Sequence, residues 1–348
     1  YGFRKHRSTH DAIEQAFKVL GRKRSATWVL DADIKGCFDN ISHQWMLEHI
    51  PMDKAILRQW LESGYVEAKG HLFPTTAGTP QGGIASPCLC NMVLDGLEKV
   101  VKTAVKSGRQ INFIRYADDF IVTARHRSDL EDSILPVIQH YLTDRGLTLS
   151  EEKTKIRHIR QGFDFLGHHL RKYSHGKLCI TPSKKNVQAF LAKVRETIRS
   201  GRGHNLGVLI DKLNPKIRGW ANYHRHGVSL KHYINVDYQI YQAVWKFLKR
   251  SHPNKSCQWI YSKYSQRDPK QHGRLTLSAQ TSEVKPDGTT IKKTKHLRAA
   301  ASTERTIHLK VRGKANPYEP KDWPYFKWLR GLRKLIRAGK WKPPWNAG

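Results

Sequence analysis

The run INFIRYADDFIVTA, residues 111–124, most constrains what this chain can become. Strand-forming residues flank Ala117-Asp118-Asp119 on both sides, the pattern of two short strands folded back on each other with carboxylates at the tip. Upstream, TWVLDADI (27–34) reads as a further strand, and Asp31 and Asp33, two residues apart, leave it on one face. If the hairpin pairs beside that strand, three or four carboxylates converge. A set of hard oxygen donors suits Mg²⁺, and a pair of such ions can hold both the attacking and the leaving oxygen of an in-line phosphoryl displacement. Single aspartates more often cap turns, but Asp33 and Asp118 in this setting point to polymerase chemistry.

The neighbouring segments fit an α/β arrangement on an antiparallel sheet. Ala12, Ile13, Ala16, Phe17 and Leu20 recur at helical spacing, Ser42 can cap a helix through Ile50, and a second helix runs from about Asp53 to Ser63. After a glycine-punctuated stretch ending in GTPQGGIASP, helical patterns return over 85–106 and 128–144. Short strands at 162–170 and 177–181 precede a long helix opened by Pro182 and Ser183, with Val187, Phe190, Leu191, Val194 and Ile198 on one face. Further helices are expected at 205–223 and 229–249. Residues 266–315 are polar, basic and poor in large apolar side chains, and 317–345 interleave aromatic rings with Lys and Arg. Within that last stretch Tyr325, Trp328, Leu329, Leu332 and Ile336 fall at helical spacing, as if one face were core.

Charge narrows the partner class. The formal net charge is +33, of which residues 1–182 carry +6 and residues 183–348 carry +27, so a polyanion is the expected partner and the metal chemistry belongs to the first half. No apolar stretch is long enough for a membrane span, so no membrane partner and a cytoplasmic, nucleic-acid-associated location are expected. The five cysteines form no C-x-x-C pair, which fits reduced thiols. His168, His169, His224 and His226 lack ligands at metal spacing and are expected to pack or to contact RNA.

The strings LDADIKGCFDNI (30–41), GTPQGGIASPCLCNMVLDGLE (78–98), RYADDFIV (115–122), GLTLSEEKTKI (146–156) and GFDFLGHHL (162–170) resemble, in order and spacing, successive blocks of bacterial group II intron reverse transcriptases. YGFRKHRSTHDAI (1–13) resembles an earlier block, and LIDKLNPKIRGWANYHRH (209–226) the maturase or thumb region. The resemblance implies an α/β right-hand polymerase: partial fingers and a palm with an antiparallel sheet over 1–182, an α-helical thumb or maturase domain over 183–265, and a basic DNA-binding region over 266–348. Members carry further finger blocks before the one that begins here at Tyr1, and these clamp the triphosphate; without them the chain is expected to be a fragment or unable to polymerise alone. The cysteine-rich HNH endonuclease of some members is not expected here.

By position, the resemblance implies Asp33, Asp118 and Asp119 as catalytic, Mg²⁺-binding carboxylates, with the Ile34 carbonyl a further ligand and Asp31 in a supporting role at most. Phe38 matches the ring beneath the sugar of the incoming nucleotide, where it would exclude a 2′-hydroxyl. Gln81, Gly82 and Gly83 match the loop against which the templating pair slides. Lys153 matches a lysine on the pyrophosphate side, although a solvated basic face with Lys155 and Arg157 is an equal reading. Arg4 and Arg7 resemble template-phosphate contacts, and Lys184, Lys185 and Arg218 are candidates for RNA contact. The implied partners are group II intron RNA, target DNA and dNTPs, with a homodimer allowed. A maturase without polymerisation and a CRISPR-associated reverse transcriptase stay open as alternatives.

Overall fold

The computed structural model describes residues 1–66, 72–73, 75–80, 82–106, 108–284 and 290–341. The chain divides into two compact units, one made of Tyr1–Leu166, Leu170–Leu178 and His308–Lys342, the other of Gly167–His169 and Cys179–Ile307.

The first unit is built on a four-stranded antiparallel sheet in the order Asn112–Tyr116, Asp119–Ala124, Trp28–Asp33, Lys155–His158. Alternation divides its central strand between two environments. Leu30 and Ala32, with Phe120 and Val122 of the hairpin, are buried in one apolar core. Asp31 and Asp33 leave the opposite face. Each large side chain in that core contributes roughly 1.5–3 kcal/mol through removal from water, so a one-residue register slip, which would exchange the two sets, is strongly disfavoured.

Helices close over the core where the sequence pattern puts them, with local differences. Thr9–Leu20, His43–His49 and Lys54–Glu62 follow Ser8, Ser42 and Asp53, and the last two side chains accept the backbone N–H of Trp45 and Ile56. The helix expected over 85–106 is two, Ser86–Val93 and Leu97–Thr103, because Gly96 between them takes φ +91°. That expected over 128–144 starts as a wide π turn, Asp129–Ile134, before Leu135–Thr143, with Pro136 in its first turn.

The second unit holds the helices Lys184–Ser200, Leu206–His224, Leu230–Ser251 and Cys257–Tyr264, packed around Leu191, Leu209, Leu213, Val236 and Val244. The compact unit itself continues past residue 265 to Ile307. The stretch read as merely polar and basic forms a three-stranded antiparallel sheet, Ser265–Asp268, Arg274–Val284 and Thr290–His296, and Leu277, Ala279 and Leu297 complete the helical core. Beyond it Asp237 accepts the N–H groups of Ala300 and Ala301 at 2.6 and 3.0 Å.

The C-terminal stretch also departs from expectation. Residues His308–Lys342 belong to the first unit, where Asp11, fully buried, accepts from the Val311 N–H at 2.9 Å and meets His308 at 3.0 Å and Arg333 at 3.3 Å. These bonds hold its carboxyl at about 2, against the burial that would raise it. On the helix Trp323–Arg337 the buried residues are Phe326, Leu329 and Ile336, and Trp328, assigned to the core face by spacing, is 57% exposed. Among the described residues no helix is long and apolar enough to cross a membrane.

Candidate active site

Tyr116 pairs with Asp119, so the hairpin turns through Ala117 and Asp118 alone, and Asp119 lies directly opposite Asp33. The Asp33 carbonyl accepts from Ser150 N–H and Lys35 N–H donates to the Thr148 carbonyl, both on the far side of the central strand. Backbone groups alternate sides along a strand, which gives two consequences. Asp33 and Asp119 form a pair of the non-hydrogen-bonded kind, the one with the closer side chains. The Ile34 carbonyl points to the hairpin side, toward the carboxylates, while its side chain is buried.

The electrostatics are those of negative charge collected without enough counter-charge. Asp119 is pushed up to about 6 by burial first and by Asp33 and Asp118 next. Asp31 reaches about 7 for the same first reason, reinforced by Asp119 and opposed by Arg157. Asp118 is raised too, again by burial before Asp33, with Lys153 and Arg115 pulling the other way. Lys153 Nζ donates to Asp33 Oδ2 at 2.7 Å, and this bond raises its own pKa. Its side chain is 64% exposed, so the pair is weak and easily exchanged. Crowded hard oxygens with depressed ionisation fit a divalent cation held by Asp33, Asp118, Asp119 and the Ile34 carbonyl.

Phe38 is half-buried against the core of the first unit and meets Phe3 edge-on at 6.1 Å. A contact with no sequence assignment fixes its turn. Thr79 N–H donates to the Phe38 carbonyl at 2.6 Å, Gly78 N–H to the Ile41 carbonyl at 2.8 Å, and His43 Nε2 donates to the Gly78 carbonyl at 2.7 Å. Gly78 sits at φ +76°, where an added Cβ would lie 2.3 Å from the Phe38 oxygen. The glycine that opens GTPQGG was the available signal. Gly82 is exposed, and Gln81 lies outside the described residues.

Two arginines expected at a template separate. Arg4 is exposed. Arg7 is not available for phosphates, because its guanidinium donates to the carbonyls of Val311, Arg312, Gly313 and Ala315 at 2.8–3.3 Å. Expecting a phosphate contact there is corrected: a fork occupied by backbone oxygens holds the C-terminal segment instead.

In the second unit Lys184 and Lys185 are exposed in the first turn of their helix, behind the Ser183 cap, and Arg218 is exposed on the next helix. Between these helices an open cavity of about 1020 Å³ is lined by Lys193, Arg199, Lys212 and Lys216 and by Phe190 and Trp220, whose rings stack at 4.7 Å. His224 is buried, and its Nε2 and the Trp220 Nε1 both donate to Asn186 Oδ1, at 2.9 and 2.8 Å. His168 lies 4.6 Å from the His224 ring, and His226 Nδ1 meets the Thr306 carbonyl at 2.8 Å.

Residues 1–170 match the reverse transcriptase (RNA-dependent DNA polymerase) family, and residues 187–265 match the group II intron maturase-specific domain. The group II intron-encoded protein LtrA of Lactococcus lactis subsp. cremoris is 27% identical over 236 residues, covering 49% of this chain and 39% of that protein. Protein YkfC of Escherichia coli (strain K12) is 26% identical over 236 residues, covering 56% of this chain and 61% of that protein. This chain thus spans less than two-thirds of either relative. A solved structure of apo telomerase from Candida tropicalis superposes with a TM-score of 0.40 at 13% identity, over 70% of this chain and 44% of that one.

Proposed function

We propose, because this chain belongs to the group II intron-encoded reverse transcriptases, that it is an RNA-directed DNA polymerase acting at Asp33, Asp118 and Asp119, and that it binds its group II intron RNA to promote splicing and retrohoming. The observation that carries the polymerase half is the register that sets Asp119 opposite Asp33 with Asp118 at the adjoining turn. Mg²⁺ is the cation we assign to Asp33, Asp118, Asp119 and the Ile34 carbonyl; bound there it would lower the cost of the charge that builds on the reacting phosphate of a dNTP. The chain's own residues do the rest. Lys153 holds Asp33 in place before substrate arrives and is exposed enough to turn toward a leaving phosphate. Phe38, fixed by Gly78 and Thr79, presents its ring to the sugar of the dNTP and selects against a 2′-hydroxyl. Gly82, with open space where a Cβ would stand, lets a base pair approach the backbone.

For the second unit, Lys184, Lys185, Arg218 and the basic, ring-lined cavity beside them are the surface we assign to intron RNA, with target DNA a further substrate. The assembled carboxylates favour this reading over a maturase that has lost polymerisation. Replacing Asp118 and Asp119 together with Ala should abolish Mg²⁺-dependent primer extension while the same intron RNA still copurifies. Undiminished cDNA from that variant would refute the site.

A further inference from the structure

Asp118 sits on a turn that its own residues do not favour. Of the two loop residues between Tyr116 and Asp119, only Ala117 has positive φ, +59°, as in a type II′ turn, whose first central position ordinarily takes glycine. An alanine there carries strain between Cβ and backbone and persists only where its surroundings hold it.

Two side chains from the sequence blocks, neither with an assigned role, supply that hold. Arg115 Nη1 donates to the Ala117 carbonyl at 2.9 Å and to Asn91 Oδ1 at 3.2 Å. Asn91 Nδ2 in turn donates to the Gly2 carbonyl at 3.1 Å. Residue 2 lies against the turn so closely that a Cβ on it would come within 2.5 Å of the Ala117 nitrogen. Arg115 pairs with Phe120, so it leaves the sheet on the core face, opposite the carboxylates, and does not share their side with substrate. The carbonyl it grips belongs to the peptide that leads directly into Asp118.

We propose that Arg115 and Asn91 are positioning residues, a bracket that clamps the Ala117–Asp118 peptide in its strained turn and thereby aims the Asp118 carboxylate at the metal position. The inference rests on the reading that Asp118 takes a divalent cation. It explains how a strand arginine with a half-buried guanidinium bears on chemistry it cannot touch.

The test uses the full chain with Mn²⁺ as probe, bound metal being read by electron paramagnetic resonance, and Mg²⁺ dependence of primer extension as a second measurement. Arg115→Gln should raise the Mn²⁺ dissociation constant about tenfold, the equivalent of one charge-assisted hydrogen bond. Ala117→Gly alone should bind as the parent does. The double variant should recover most of the lost affinity, because glycine adopts the turn without a clamp; an arginine that only stabilised the fold would not be rescued this way. No recovery in the double variant, or unchanged affinity in Arg115→Gln, would overturn the proposal. If Arg115→Gln gives no cooperative melt, Asn91→Ala, which keeps the guanidinium and removes its partner, must show the same loss and the same rescue. Asp118→Ala separates the two readings: normal Mn²⁺ binding there defeats the metal assignment itself, whereas lost binding there with no rescue at Ala117 defeats only the bracket.

Discussion

Replacing Asp31 with asparagine should stabilise the metal-free protein at neutral pH and change little near pH 4. Asp31 stands on the carboxylate face of the central strand, opposite Ile121 and Lys155. Its pKa goes from 3.8 to about 7, through burial first, then Asp119, with Asp164 and Asp33 adding and Arg157 opposing. Because the folded value lies above the unfolded one, the folded state holds the proton more tightly, and stability is lost as pH rises from about 4 to about 7. The gap of about three pH units, at 1.36 kcal/mol each, corresponds to about 4 kcal/mol above pH 7. Residual solvent access lowers the expected gain in Asp31→Asn to about 2–3 kcal/mol. For a unit of this size that is roughly 4–12 °C in Tm. Thermal melts of parent and variant in EDTA at about pH 4.5, 6 and 7.5 would show the difference opening with pH, and added MgCl₂ should narrow it by offsetting the negative charge of Asp33 and Asp119. A gain of equal size at every pH, or none above pH 7, would refute the account of crowded, under-compensated carboxylates.

Phe38→Val should lower discrimination against ribonucleotides, read as the ratio of kcat/KM for dNTP and NTP, and an unchanged ratio would make the ring a core residue only. Arg7→Ala removes a guanidinium bonded to four carbonyls and should expose residues 308–341 to limited proteolysis at a cost of about 1.5–3 kcal/mol; loss of template affinity with unaltered proteolysis would restore the phosphate role. Gly78→Ala, at positive φ and in collision with the Phe38 backbone, should cost about 2–5 kcal/mol from strain and overpacking together. A urea-transition change below about 1 kcal/mol would count against that contact.

The carboxylate face is legible in the amino-acid order because its determinants are local. A period of two sends Asp31 and Asp33 to one side, and a hairpin closed by two residues sets Asp119 beside Tyr116; the pairing of Asp119 with Asp33 is the long-range step. Helix caps at Ser42, Asp53 and Ser183 are local in the same sense, since side chain and N–H lie three residues apart. What the sequence leaves open is what covers each face. The strand Thr290–His296 reads as a solvated basic run because lysines protect the edge of a sheet whose apolar contribution comes from Leu277 and Ala279. Trp328 and Phe326 both satisfy a helical pattern, yet only the ring that meets Val311 and Leu329 is buried. Arg7 and Asp11 find their partners some 300 residues away, and no spacing within a block of 13 residues records a contact of that kind. Periodicity specifies direction from the backbone, whereas burial, the ionisation of Asp31 and the occupation of Arg7 depend on which distant atoms arrive there, and those only the tertiary structure decided.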